Sequence, residues 1–266
     1  MSDSRGLFPA LLKHWRGKRG LSQLDLALAA DVSPRHVSFL ETGRSTPSDQ
    51  MILRLATALD VPLRHINEML RSAGCEPVYP ESDGPLPPEV AKALEMMKAH
   101  HEPFPLVVVD RLYQVVDVNL GAQALFATFL GEAAADFPAP WNLMHLTFDP
   151  RLRSAFVNFE ELGPAVLWRL QREVLADPND AELRALLDEV SAMPTVDERW
   201  REVDLSVASP PVLLIHLRIG GEDLRFVTMV TALQAPQTVR LDELRIETWF
   251  PNDEATANFC RNSLTS

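Results

Sequence analysis

Only Asp31-Val32-Ser33 separates an apolar-periodic segment ending near Ala30 from a fresh helix start at Ser33-Pro34, and this interval constrains the fold more than any other feature of the chain. A connection that short forces the two helices to cross steeply and leaves the second projecting from the surface. Helix-start signals recur on either side. Ser22 is followed three residues later by Asp25 in a capping-box pattern; Ser33 precedes a proline at the first helical position, where the missing N–H costs nothing; and Thr46-Pro47-Ser48-Asp49 repeats the signal. A helix over residues 7–18 precedes these, and Val61-Pro62 opens another that ends near Gly74. Ile52, Leu55, Ala56 and Leu59 fall at i, i+3, i+4 and i+7, one buried stripe. Residues 1–75 thus read as an all-α five-helix bundle, with Asp31 expected in the left-handed conformation that Asp tolerates better than most side chains.

The spacing of Leu26, Ala27, Ala30, Val32, Val37 and Leu40 turns them inward, so Ser33, Arg35, His36, Ser38 and Phe39 occupy the outward faces of the third helix. The stretch GLSQLDLALAADVSPRHVSFLETGRSTPS at residues 20–48 resembles the XRE class of helix-turn-helix regulators, the group that includes the phage repressors. The resemblance implies sequence-specific binding to double-stranded DNA, with those five outward residues as candidate base readers. Arg35 suits a bidentate contact to guanine and Phe39 a thymine methyl, the alternatives being a solvated arginine and a core phenylalanine. Gln23, at the start of the second helix, and Arg44, just beyond the third, are candidate phosphate contacts. The same resemblance pairs Arg16 with Glu41 in a buried, structural ion pair.

A formal net charge of −12 conflicts with such a role only as an average. Residues 1–75 carry ten Lys+Arg against seven Asp+Glu, and residues 76–266 carry fifteen against thirty. Only the first part can face DNA. No apolar stretch approaches the ~20 residues that span a bilayer, and no secretory signal is read in Met1 to Gly6. Cys75 and Cys260 form no CxxC pair, which suits a reducing cytoplasm; no membrane partner is expected.

Five prolines and two glycines crowd the stretch from Gly74 to Pro88, marking residues 76–87 as a linker. The domain over 88–266 begins with a helix at 88–101, followed by a hairpin of two β-branched runs at 106–119. A helix follows Asn119, and two longer helices are expected near 151–176 and 180–192. Pro211 to Gly220, Asp223 to Leu233 and Val239 to Phe250 read as three antiparallel strands, joined by a Gly220-Gly221 turn and a Pro236 loop. The whole is an α+β two-domain chain whose second domain holds a five-stranded antiparallel sheet with helices.

That element order, with HEPFPLVVVDRLYQVVDVN and WNLMHLTFDPRLR, resembles the MmyB-like family, in which an XRE domain is fused to a PAS-like ligand-binding domain; SPRHVSFLETGRSTPS and NEMLRSAG match its first-domain variant. The chain departs from the family's pattern at Ser209-Pro210 and at Phe159. The resemblance implies a concavity between sheet and helices, mostly apolar, for a small apolar or amphipathic effector such as a fatty acid, with no other cofactor. Candidate lining residues are Phe104, Val107, Val109, Val116, Ala122, Leu125, Phe126, Trp141, Phe148, Phe156, Trp168, Met229 and Phe250, many of them expected to be core. Asn119 and Asn142 are candidate polar contacts, with helix capping as the alternative for Asn119. Arg153, Arg169 and His216 are candidates for a charged head group.

No HExxH, paired CxxC, GxSxG, GxGxxG or P-loop spacing points to an enzyme, and His100, His101, His145 and His216 lack metal-ligand spacing. The alternative for the acidic domain is a ligand-free module for dimerisation or polymerase contact, built on an exposed Trp249 and the alternation Leu244, Ile246, Thr248, Phe250. A homodimer on an inverted-repeat operator is expected in either case, because one small module offers few phosphate contacts.

Overall fold

The structure, a computed structural model, describes residues 7–264 apart from 82, 83, 138, 179, 203–209, 211 and 235. The reading of Met1 to Gly6, the departure at Ser209 and the strand start at Pro211 lie outside the described residues. The chain divides into two compact units, Met1–Gly84 with Gln234–Asp242, and Pro85–Leu233 with Glu243–Ser266.

The first unit holds α1 (Leu7–Lys18), α2 (Gln23–Ala29), α3 (Pro34–Glu41), α4 (Asp49–Ala58) and α5 (Leu63–Ser72). Each start signal in the sequence does its work. Ser22 and Asp25 form the reciprocal capping box, and the side chains of Ser33 and Ser48 accept from the backbone N–H groups of His36 and Met51. Asp31 turns the chain between α2 and α3 at φ 51°. Ile52, Leu55, Ala56 and Leu59 are completely buried, as are Leu12, Leu26, Val37 and Leu40.

The N-terminus of α5 follows Pro62, which offers no side-chain cap. Asp242 supplies one from far along the sequence, its carboxylate accepting from Leu63 N–H at 2.9 Å. The proline-rich stretch is tied down over its first part: the Asn67 amide donates to the Tyr79 carbonyl at 2.7 Å and its oxygen accepts from the backbone of Val78 and Tyr79.

The second unit contains a single antiparallel sheet in the order β2-β1-β5-β4-β3, with β1 (Leu106–Val109), β2 (Val115–Val118), β3 (Leu213–Ile219), β4 (Glu222–Thr231) and β5 (Arg245–Pro251). The hairpins β1–β2 and β3–β4 fall where the sequence places them, the latter around Gly220-Gly221. Helices α6 (Pro88–His101), α7 (Leu120–Leu130), α8 (Leu143–Phe148), α9 (Phe159–Ala176), α10 (Ala181–Ser191) and α12 (Glu254–Ser263) complete it, α11 (Val239–Glu243) lying between β4 and β5 in the sequence.

Two boundaries differ from the sequence reading. The long helix starts at Phe159 rather than near 151, because residues 153–155 form a 3-10 turn and Phe156 bridges to Leu217 of the edge strand. The last strand starts at Arg245 rather than Val239. Thr238 caps a helical turn there, its hydroxyl accepting from Leu241 N–H, and the buried pair Val239 and Leu241 satisfies that turn as readily as it would a strand.

Strand parity is also corrected. Trp249 pairs with Thr228 and faces the core, 7% exposed, whereas Met229 pairs with Thr248 and Phe250 with Val227 on the opposite face. Met229 is 54% exposed, Val116 43% and Phe250 41%, so these three do not face the interior. Leu244 and Ile246 are buried, which removes them from any exposed alternation.

Candidate functional site

The exposed side of α3 carries the candidate DNA-reading residues. The Arg35 guanidinium lies 5.1 Å from the centre of the Phe39 ring and that of Arg44 lies 5.9 Å from it, so one half-buried ring sits between two cations. Phe39 is therefore not a core residue. Ser33 is exposed but occupied as the α3 cap, and His36 and Ser38 are half-buried beside it.

Behind this face, Arg16 grips Glu41 through two hydrogen bonds of 2.6 and 3.0 Å and also donates to the Leu21 carbonyl. Gln23 donates to the same carboxylate at 2.8 Å, which leaves one N–H of its amide for a phosphate. Burial alone would push the Glu41 carboxyl up, but the bonds from Arg16 and Gln23 outweigh it and hold it below the usual carboxylate range. Glu41 thus braces α1 and α2 against α3 through its bonds from Arg16 and Gln23.

The second site is a cavity inside the second unit enclosing about 720 Å³ of space between atoms, part of it open to solvent. Leu125, Phe126 and Phe129 of α7, Met144, Leu146 and Thr147 of α8, and Leu162, Val166 and Arg169 of α9 form one side. Leu213, Ile215 and Leu217 of β3, Thr228 of β4, and Glu247 and Trp249 of β5 form the other, with Leu143, Phe156 and Tyr113 closing it. The inward alternation of β3 and the helical spacing of Leu162, Val166 and Arg169 on α9 bring these residues together.

Of the residues named from the sequence, Leu125, Phe126, Phe156 and Arg169 line this cavity. Phe148 is fully buried in the surrounding core. Val107, Val109 and Ala122 form a smaller cluster with Phe126. Phe104 and Trp141 pack at the edge, the Trp141 indole donating to the Phe137 carbonyl, and Trp168 donates to the Trp200 carbonyl. Asn119 and Asn142 are helix caps. The first accepts from Ala122 and Leu106 N–H and donates to the Phe104 carbonyl; the second accepts from Met144 and His145 N–H and donates to the Leu112 carbonyl.

His216 faces Asp223 rather than the cavity, and Arg153 lies over the Phe159 ring and against Glu160. His100, His101 and His145 have partners of their own, and no group of three or more metal-ligating side chains occurs among the described residues.

At the polar end of the cavity, sequence reasoning named Arg169 but missed Glu247, Tyr113 and the neighbouring Glu173. Arg169 sits 3.6 Å from the Glu247 carboxylate, and one helical turn further along α9 Glu173 accepts from the Tyr113 hydroxyl at 2.9 Å. Burial pushes the Glu173 and Glu247 carboxyls above their usual range, with nearby Arg169 opposing it in both. Burial and the adjacent Glu173 push the Tyr113 phenol well above its ordinary value, so it remains a neutral donor. The signal was present: Glu247 stands two residues from Trp249, on one face of a strand.

Residues 90–262, more than half of the chain, match the model of a family described as MmyB-like transcription regulator ligand binding domain. Residues 12–66 match a helix-turn-helix model. No curated protein matches the chain. Among solved structures the chain is similar to one titled "Structure of an RNA-binding Light-Oxygen-Voltage Receptor", at 14% identity and a TM-score of 0.28, covering 91% of this chain and 60% of that one.

Proposed function

The chain belongs to the MmyB-like transcription regulators, pairing a helix-turn-helix domain that binds DNA with a ligand-binding domain, and from that premise we propose that it is a sequence-specific DNA-binding regulator whose cavity holds a small apolar or amphipathic effector, an acyl compound of the fatty-acid kind. Both matched domains are those of a regulator rather than an enzyme. Arg35 and Phe39 read bases, with Ser33, His36 and Ser38 beside them; Gln23 and Arg44 hold phosphates.

The observation that carries the effector reading is the cavity itself, apolar over most of its wall with Arg169 and Glu247 in its lining. No helix among the described residues is long and apolar enough to cross a membrane, in keeping with a cytoplasmic site of action. Solvent extraction of the purified protein followed by mass spectrometry, with melting temperatures measured against an acyl-chain series, tests the reading. An extracted acyl compound and chain-length-dependent stabilisation are expected; an empty extract together with no shift for any chain would sink it.

The protein acts as a homodimer on an inverted repeat whose half-sites lie about one helical turn apart, roughly 34–36 Å. The outer sheet face supports this, since Leu214, Met229 and Phe250 lie exposed on it. Light scattering is expected to give twice the chain mass in solution or on DNA; a monomer in both states would contradict it.

A further inference from the structure

Which head group the cavity accepts depends on how its polar residues are already committed. Tyr113 gives its hydroxyl hydrogen to Glu173. Arg169 and Glu247 face one another at 3.6 Å, the Glu247 side chain 12% exposed. The indole N–H of Trp249 is buried and makes no hydrogen bond of full geometry, although it lies near enough to the Glu247 carboxyl to favour its ionised form. One end of an apolar cavity therefore presents, side by side, a spare donor, a buried carboxyl and its guanidinium counter-ion.

We propose that this cavity selects an uncharged amphiphile whose polar end both donates and accepts hydrogen bonds, an acyl amide being the simplest, over the free acid and the amine of the same chain. The inference rests on the cavity being the effector site. A carboxylate entering there shares the Arg169 guanidinium with Glu247 and buries a second negative charge beside the first, which costs more than it returns away from water. Burial pushes the Glu247 carboxyl up against the opposing pull of Arg169, so a second carboxylate beside it favours taking up a proton. An ammonium meets Glu247 but is repelled by Arg169. An amide donates its N–H to Glu247 and accepts on its carbonyl from Trp249, leaving the ion pair intact and satisfying the one spare donor.

Calorimetry of the full chain, stripped of lipid, with lauric acid, lauramide and laurylamine tests this at neutral pH. The amide is expected to bind at least about tenfold more tightly than either charged analogue, roughly the fold-change carried by one hydrogen bond to a charged group. The acid should gain affinity as the pH falls, and Glu247→Gln should bring it close to the amide while Arg169→Met favours the amine. Acid binding as tight as amide in the unaltered protein overturns the proposal. If all three bind equally and Leu217→Trp abolishes that binding, the effector site stands and the head-group selection falls. If none binds, both fall.

Discussion

The reading face of α3 turns on one ring. Phe39 is held on its surface side by Arg35 and Arg44 and from behind by a helix that Glu41 fixes through Arg16 and Gln23. With Arg35 proposed to read a base and Gln23 and Arg44 to hold phosphates, Arg35→Ala should lower affinity for the cognate operator by about 1–3 kcal/mol and affinity for random duplex far less. Gel-shift titrations on both duplexes at one fixed salt concentration measure it; equal loss on both would rule out base reading by Arg35. At this scale the sequence was most informative where a residue's role depends on its immediate neighbours. Ser22, Ser33 and Ser48 cap the helices they precede, and Asp31 takes its positive φ, because caps and turns are set within a few residues of chain. The face of Glu247 could be read from its spacing to Trp249, but its role and that of Tyr113 could not, because each depends on a partner in α9 sixty or more positions away, Arg169 for Glu247 and Glu173 for Tyr113.

Among the elements, α7 shows how tightly the second unit is fastened at the edge of its cavity. Its N-terminus is capped by Asn119 and by the Glu102 carboxylate, which accepts from the N–H groups of Leu120 and Gly121. A Cβ at Gly121 would come 2.3 Å from the Pro103 carbonyl oxygen, backbone that cannot swing aside. Alanine ordinarily gains about 1 kcal/mol over glycine in a helix, but overpacking of this kind costs roughly 1–3 kcal/mol and must exceed that gain here. Gly121→Ala should therefore lower the unit's melting temperature, whereas Gly17→Ala in α1, where nothing lies within 4 Å of the added carbon, should not lower that of the first unit. A stabilised Gly121→Ala protein in differential scanning calorimetry would contradict the packing argument. The strands show where periodicity stops being decisive. In β3 the alternation is clean, yet the sequence reading named His216 rather than the inward Leu213, Ile215 and Leu217. In β5 Glu247 and Thr248 put polar residues on both faces, so hydrophobicity alone selects the face with Ile246 and Phe250, while pairing of Trp249 with Thr228 selects the other.

Across the whole chain, the order of the segments matters more than their composition. The chain leaves the second unit at Leu233, contributes Gln234–Asp242 to the first, and re-enters the second at Glu243 to form β5, the strand that carries Glu247 and Trp249. Asp242, whose carboxylate caps Leu63 at the start of α5, is thus one peptide bond from the unit that holds the cavity. If the proposed effector alters β5, the covalent continuation into Gln234–Asp242 gives it a route to a residue fixed in the helix-turn-helix unit. Linkage requires the effect to be reciprocal: whatever factor the effector imposes on DNA affinity, DNA imposes on effector affinity. Cutting the tie without touching either site separates this route from others. Asp242→Ala removes the acceptor for Leu63 N–H at a cost of about 1 kcal/mol to the first unit, while the cavity keeps all its lining residues. Effector affinity measured without DNA should be unchanged, and the effector-induced shift in operator affinity, expected within roughly 5–150-fold for such couplings, should shrink toward none. Fluorescence anisotropy of labelled operator, with and without the extracted effector, reads both quantities. A full shift retained by Asp242→Ala would place the coupling elsewhere in the chain, whereas loss of effector binding itself would mean that Asp242 shapes the cavity rather than transmits from it.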